Sequence, residues 1–152
     1  MAGHFFDSSA LAKLYHPEIG SPEVEKIVRT PDSRIWISRL TVVELSSVFA
    51  IKVRTRFISR EDARLLLRQF QEDIVAESFF VAPIREPELA TAERLLEQYA
   101  FDLRLRALDA IQIAVALGLR SHGLVNHFVT SDKVLCKVAA LESFGVLNPE
   151  QP

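Results

Sequence analysis

The sequence predicts an α/β fold in which a parallel β-sheet of about five strands is flanked by helices on both faces. Three observations carry this. Short apolar, β-favouring runs alternate with longer helix-forming runs throughout the 152 residues. Ser, Asp, Gly and Pro stand at the junctions, where turns and caps need them. Two apolar runs, HFFD at 4–7 and HFVTSD at 127–132, end in an aspartate with helix-forming sequence directly behind it. In such a sheet the crossovers are right-handed, and the site lies beyond the carboxyl ends of the strands, where strand order reverses.

In chain order, HFFD (4–7) reads as a strand and SSALAKLY (8–15) as the helix after it. SPEVEKIVR (21–29) is a second helix, with Ser21 as N-cap and Pro22 at the first helical position. RIWIS (34–38) has the β-favouring Ile and Trp of a strand, bounded by Pro31, Asp32 and Ser33. RLTVVELSSVFAIKVRTR (39–56) reads as a helix despite its β-branched residues. SREDARLLLRQFQEDIV (59–75) is a stronger one, and Ser59 with Asp62 resembles a capping box. A strand at 78–83 and a helix at 86–100 follow. The helix at 106–123 can stop at Gly123. A strand at 127–131, a helix at 132–144 and a short strand at 145–149 complete the pattern.

The length suits one domain spanning 1–152, large enough to bury roughly 68–70% of its unfolded surface without staples. Composition is that of a globular chain: 49% hydrophobic and 25% charged. The single Cys136 cannot form an internal disulfide and reads as a small buried hydrophobe. Asp7 interrupts the first apolar stretch, and no uncharged run approaches the roughly 20 residues of a membrane span, so a cytoplasmic protein is expected. The net charge of -2 excludes binding of nucleic acid through overall basicity, so any phosphate contact is local or carried by a metal.

Four acids stand out. Asp7 and Asp132 fall at strand ends. Glu44 lies on a helix between Leu40 and Val48 at i±4, with Thr41 and Ser47 at i±3. Asp109 shares its row with Leu105, Ile113 and Ala116, and Gln112 follows at i+3. Each acid alone has a structural explanation: Asp7 and Asp132 as caps, Asp109 as a first-turn acid, Glu44 as the partner of an arginine. Together they fall at one edge of one α/β layout, which points to a shared cation. Hard cations such as Mg²⁺ or Mn²⁺ prefer oxygen ligands, and they can activate water against a phosphodiester. Rival machinery is missing: there is no GxxxxGK[ST], GxGxxG or GxSxG, and His4, His16, His122 and His127 have no paired spacing with which Cys136 could complete a zinc set.

FFDSSALAKLY, SRLTVVELSSVFA, LRALDAIQIAVAL, HFVTSDKVL and GVLNP, taken in order, resemble the segments of a PIN-domain ribonuclease and are most similar to VapC-type toxins of toxin–antitoxin pairs. The resemblance implies a PIN-like fold and a metal-dependent endoribonuclease using Mg²⁺ or Mn²⁺. Asp7, Glu44, Asp109 and Asp132 match the acidic positions of that family, as candidate catalytic and metal-ligating residues. Thr130 and Ser131 match its small hydroxyl residues before the last acid, and Ser8 and Ser9 match the start of its first helix, where they either bond metal waters or cap. Gln112 stands where many relatives carry His, as a residue supporting the acids or contacting RNA, and Cys136 stands where some carry a further acid.

The stretch IKVRTRFISR (51–60) gathers Lys52, Arg54, Arg56 and Arg60, either as a solvated helix end or as a patch that positions RNA phosphates. Arg39, Arg104 and Arg106 lie near the acidic motifs, able to hold phosphate or to neutralise the acids. The resemblance also implies a homodimer and an antitoxin protein that blocks the site, with the apolar runs at 40–51 and 65–75 as surfaces for them or as core. Two alternatives remain at this point: a stand-alone PIN nuclease of RNA processing, and a catalytically silent PIN-like module that only binds partners. A haloacid-dehalogenase-type phosphatase also begins with an aspartate after its first strand. It wants a second acid two residues later, where this chain has Ser9.

Overall fold

The computed structural model describes residues 2–152. The elements run β1 (Gly3–Phe6), α1 (Ser8–Tyr15), α2 (Ser21–Arg29), β2 (Arg34–Ser38), α3 (Arg39–Arg54), α4 (Arg60–Val75), β3 (Phe80–Ala82), α5 (Glu86–Tyr99), α6 (Ala107–Ser121), β4 (His127–Val129), α7 (Lys133–Leu141) and β5 (Gly145–Leu147). All strand pairs are parallel, in the order β3-β2-β1-β4-β5. Strand order therefore reverses between β1 and β4, where Phe5 sits opposite Phe128. The expected parallel sheet with helices on both faces is the fold observed.

Alternation along the strands builds the two cores. Phe5 and Phe128 pack with Leu95, Ile113 and Val138 beneath α5–α7. Their neighbours Phe6 and Val129 face the other way, against Leu11, Leu45 and Phe70 of α1, α3 and α4. The central strands β1 and β4 are thus covered on both faces. The apolar runs at 40–51 and 65–75 divide between core and surface: Leu45, Phe49 and Phe70 are buried, whereas Val43, Leu65 and Val75 are exposed.

Several local expectations need correction. Gly20, not Ser21, occupies the N-cap of α2, so Pro22 is the second helical residue. Gly20 takes φ 92, and a Cβ there would come within 3.0 Å of Pro149. Freed from capping, the Ser21 hydroxyl accepts from the Glu18 amide and donates to the Lys13 carbonyl. Helix α3 stops at Arg54 because Arg56 turns to φ 63, closing the end through its amide on the Val53 carbonyl at 3.1 Å. At α4 the Ser59 hydroxyl accepts from the Asp62 amide as expected, but among the described residues no return bond completes the box. Gly123, at φ 71, follows the end of α6 as read from the sequence.

Lys13 is 4% exposed although it lies on a short surface helix. Its ammonium donates to Glu150 Oε1 at 2.7 Å and to the Ile19 carbonyl at 2.8 Å, with Glu18 at 3.3 Å. Those partners offset the cost of burying the charge, and they tie the segment after β5 to the α1–α2 loop. Among the described residues, no helix is long and apolar enough to cross a membrane.

Candidate active site

Each of the four acids sits in the first or second turn of a helix, or at the cap before it, and those helices begin at the carboxyl edge of the sheet. Asp7 directly follows β1 and caps α1; it is 3% exposed. Its Oδ1 accepts from the Ala10 amide at 2.9 Å and the Ser9 hydroxyl at 2.8 Å, and its Oδ2 from the Thr130 hydroxyl at 2.5 Å. Burial pushes its carboxyl up to about 6; the three hydrogen bonds oppose this, and the nearby Asp132 adds to it. Asp132 caps α7 through Oδ1, which accepts from the Val134 and Leu135 amides. Its own amide donates to Thr130 Oγ1 at 3.0 Å, while the Ser131 amide donates to Ser9 Oγ at 3.2 Å. The two Asp-terminated runs are therefore neighbours, stitched by Thr130 and Ser9. Both aspartates do cap helices, and capping uses only one oxygen of Asp132.

Glu44 and Asp109 form a second couple. Asp109 lies in the first turn of α6, where its Oδ2 accepts from the Arg106 amide at 3.2 Å and the Arg106 Nε at 3.3 Å. The first-turn role is the one the sequence left open for Asp109, whereas the arginine partner expected for Glu44 is found here on Asp109. Glu44, on α3, accepts from Gln112 Nε2 at 2.7 Å. Burial raises its carboxyl above the usual range; Gln112 opposes this, the Asp109 charge adds to it, and the Ser8 hydroxyl and Arg106 work against it. Ser8 stands next to Asp7 in the chain, at the first position of α1.

The four acids share an edge but are not drawn into one closed cage. Among the described residues, no three His, Cys, Asp or Glu side chains gather as a ligand set. The donor set nevertheless suits a hard divalent cation. It consists of carboxylate oxygens from four acids, of which Asp7 and Glu44 are pushed toward the neutral form, and among the described residues the buried Ser131 hydroxyl beside them has no partner.

Beside the acids lies a groove of about 640 Å³, lined at one end by Ser9 and Ser131 and at the other by Ile51, Lys52 and Phe57. Arg54, Arg56 and Arg60 are exposed around the α3–α4 turn, and Arg39 is exposed at the start of α3. Arg54 lies about 15 Å beyond Glu44 along the helix axis, at a rise of about 1.5 Å per residue. Lys52 does not belong with these arginines, because its ammonium is held by Glu18 at 2.9 Å and His16 at 3.0 Å. Arg106 is committed to Asp109. Sequence reasoning missed Ser38 and Thr41, which are buried against Gln112; the SRLT spacing at the start of α3 marks Ser38 as a cap and nothing more. It also missed the stacking of His4 on His127, with ring centroids 5.0 Å apart. That pair lies toward the amino end of the sheet, away from the acids.

Solved structures with this fold include FitAcB from Neisseria gonorrhoeae, 18% identical over 98% of this chain and 99% of that one, with a TM-score of 0.68. A toxin–antitoxin complex from Klebsiella pneumoniae is 19% identical over 96% and 97%, with a TM-score of 0.58. VapC20 from Mycobacterium tuberculosis, described as a toxin that cleaves the Sarcin-Ricin loop, is 15% identical over 94% and 98%, with a TM-score of 0.67. At these identities the likeness is one of fold. No curated protein matches the sequence. The PIN domain family model matches residues 4–141, and with that span of sequence and this sheet order the chain belongs to the PIN-domain family.

Proposed function

We propose that this PIN domain, spanning 1–152, is an endoribonuclease of the cytoplasm that depends on Mg²⁺ or Mn²⁺ and is the toxin of a toxin–antitoxin pair. The observation that carries the reading is the Asp7–Thr130–Asp132 linkage at the strand-order switch, with the Glu44–Asp109 couple beside it. The cation supplies Lewis-acid chemistry at a phosphodiester. Asp7 and Asp132, with Glu44 and Asp109 alongside, are the residues to hold it. Thr130 and Ser9 fix the orientation of Asp7, and Ser8 and Ser131 offer hydroxyls to whatever enters. Gln112 supports Glu44. Arg54, Arg56 and Arg60 are exposed and free to meet RNA phosphates, with Arg39 and Arg106 nearer the acids. The antitoxin partner is suggested by the toxin–antitoxin complex that shares the fold, and a homodimer by the family.

The test is incubation of purified protein with RNA, with and without Mn²⁺ or Mg²⁺, and with chelator. Cleavage that needs the metal and leaves a 5′-phosphate and a 3′-hydroxyl is expected. Cyclic-phosphate ends, or full activity in chelator, overturn the assignment. The spread of the acids into two couples favours one other reading, a silent partner-binding module. The absence of metal-dependent cleavage from a folded preparation decides for it.

A further inference from the structure

We infer that Gln112 is the positioning residue for Glu44, and that Ser38 and Thr41 orient its amide so that the Glu44 carboxylate is held in a single place at the edge. The inference rests on the proposed role of the four acids and extends it to a buried layer behind them. Gln112 is 2% exposed, so all its polar atoms need partners inside the protein. Its Oε1 accepts from the Ser38 hydroxyl at 2.8 Å, and its Nε2 donates to Thr41 Oγ1 at 2.8 Å and to Glu44 Oε1 at 2.7 Å.

The orientation of the amide is determined by its surroundings. Ser38 Oγ already accepts from the Thr41 amide at 3.1 Å, which leaves its single hydrogen to be given to Gln112. The flipped amide would set its carbonyl oxygen against the Glu44 carboxylate, acceptor against acceptor. One cap at the end of β2 therefore fixes a donor aimed at an acid two turns into α3, through a side chain that comes from α6. Gln112 also lies three residues after Asp109, almost one turn along the same helix. The helix that carries one acid of the couple thus holds the other, and the separation of Glu44 from Asp109 is set by α6 rather than by the flexible glutamate. Outer partners of this kind commonly change metal affinity about 10- to 100-fold when removed.

The test is Mn²⁺ binding by the full-length chain, measured by calorimetry or electron paramagnetic resonance, together with RNA cleavage. Gln112→Met keeps the volume and removes the donor; binding weakened by about 10- to 100-fold is expected, with kcat lowered and KM for RNA little changed. Thr41→Val frees one amide hydrogen and should give a smaller loss in the same direction, restored by Thr41→Ser; it decides the matter if Gln112→Met does not fold. In a Glu44→Ala background, Gln112→Met should cost nothing further, because its only route is through Glu44. Parent-like Mn²⁺ affinity in Gln112→Met, or an undiminished loss in the Glu44→Ala background, overturns the inference while the nuclease reading stands. A parent protein that binds no Mn²⁺ and cleaves no RNA overturns both.

Discussion

Asp7 is the residue on which the candidate site leans most heavily. Its folded carboxyl titrates near 6 because it is buried, against 3.8 for a free side chain. A raised acid favours the folded state in its protonated form. Its stabilisation is therefore complete below about pH 4 and is lost as pH rises through about 6, on the order of 2–3 kcal/mol across the window. Asp7→Asn keeps an oxygen for Ala10 and Ser9 and removes the charge. In chelator at pH 8 the variant should melt about 5 °C above the parent, and its stability should no longer fall between pH 4 and 6. Mn²⁺ should raise the melting temperature of the parent and leave the variant unmoved, and cleavage should be lost. Calorimetry over that pH range checks this. A variant that melts lower at pH 8 and keeps the parental pH slope would make Asp7 an ordinary helix cap.

The turn between α3 and α4 joins two demands that pull in opposite directions. Arg56 holds φ 63, a conformation that glycine adopts without strain, and it is also exposed in the basic cluster. Arg56→Gly should therefore stabilise the fold by about 1 kcal/mol while weakening RNA binding, whereas Arg56→Ala weakens binding and leaves the strain. Adding Arg54→Ala and Arg60→Ala should lower affinity across RNA sequences and flatten its dependence on salt, with little change in melting. Binding measured at several salt concentrations decides; an unchanged slope returns the cluster to plain solvation. The helix itself was legible in the sequence, and its end was not, because no glycine marks a left-handed Arg56. The same contrast holds across the chain. Asp7 and Asp132 could be read because each ends an apolar run just where a cap is needed. The Ser38–Gln112–Glu44 chain could not, since it joins residues 74 and 68 positions apart with no local pattern to announce it. Gly20, at φ 92, has no room for a Cβ because of Pro149, 129 residues on, a constraint no local pattern announces.

For the molecule as a whole, the sheet joins the helical layers, and a long-range clasp at Lys13 adds to it. Nothing in the sequence singles out Lys13; the structure buries it under Glu150, 137 residues on. Glu150→Ala leaves that ammonium with Ile19 and Glu18 and should lower stability by about 1 kcal/mol, less than for a fully enclosed pair because Glu150 is 42% exposed. Lys13→Met together with Glu150→Ala should recover most of the loss, since a methionine fits the same space without a charge to satisfy. Thermal melts of the three variants test this, and a double variant less stable than Glu150→Ala alone would show that the ammonium contributes more than its pairing.

The strand order also sets a timetable. β1 pairs with β2 early in the chain, but its other flank stays open until β4 arrives, and the hydroxyl that grips Asp7 comes from Thr130, 123 residues later. During translation, at roughly 5–20 residues per second, Asp7 leaves the ribosome on the order of ten seconds before Thr130 exists. The carboxylate edge cannot assemble on a half-made chain. On the proposed reading of this edge as a ribonuclease site, the chain is born harmless beside the ribosome that makes it and is armed only as its last strands close on the first.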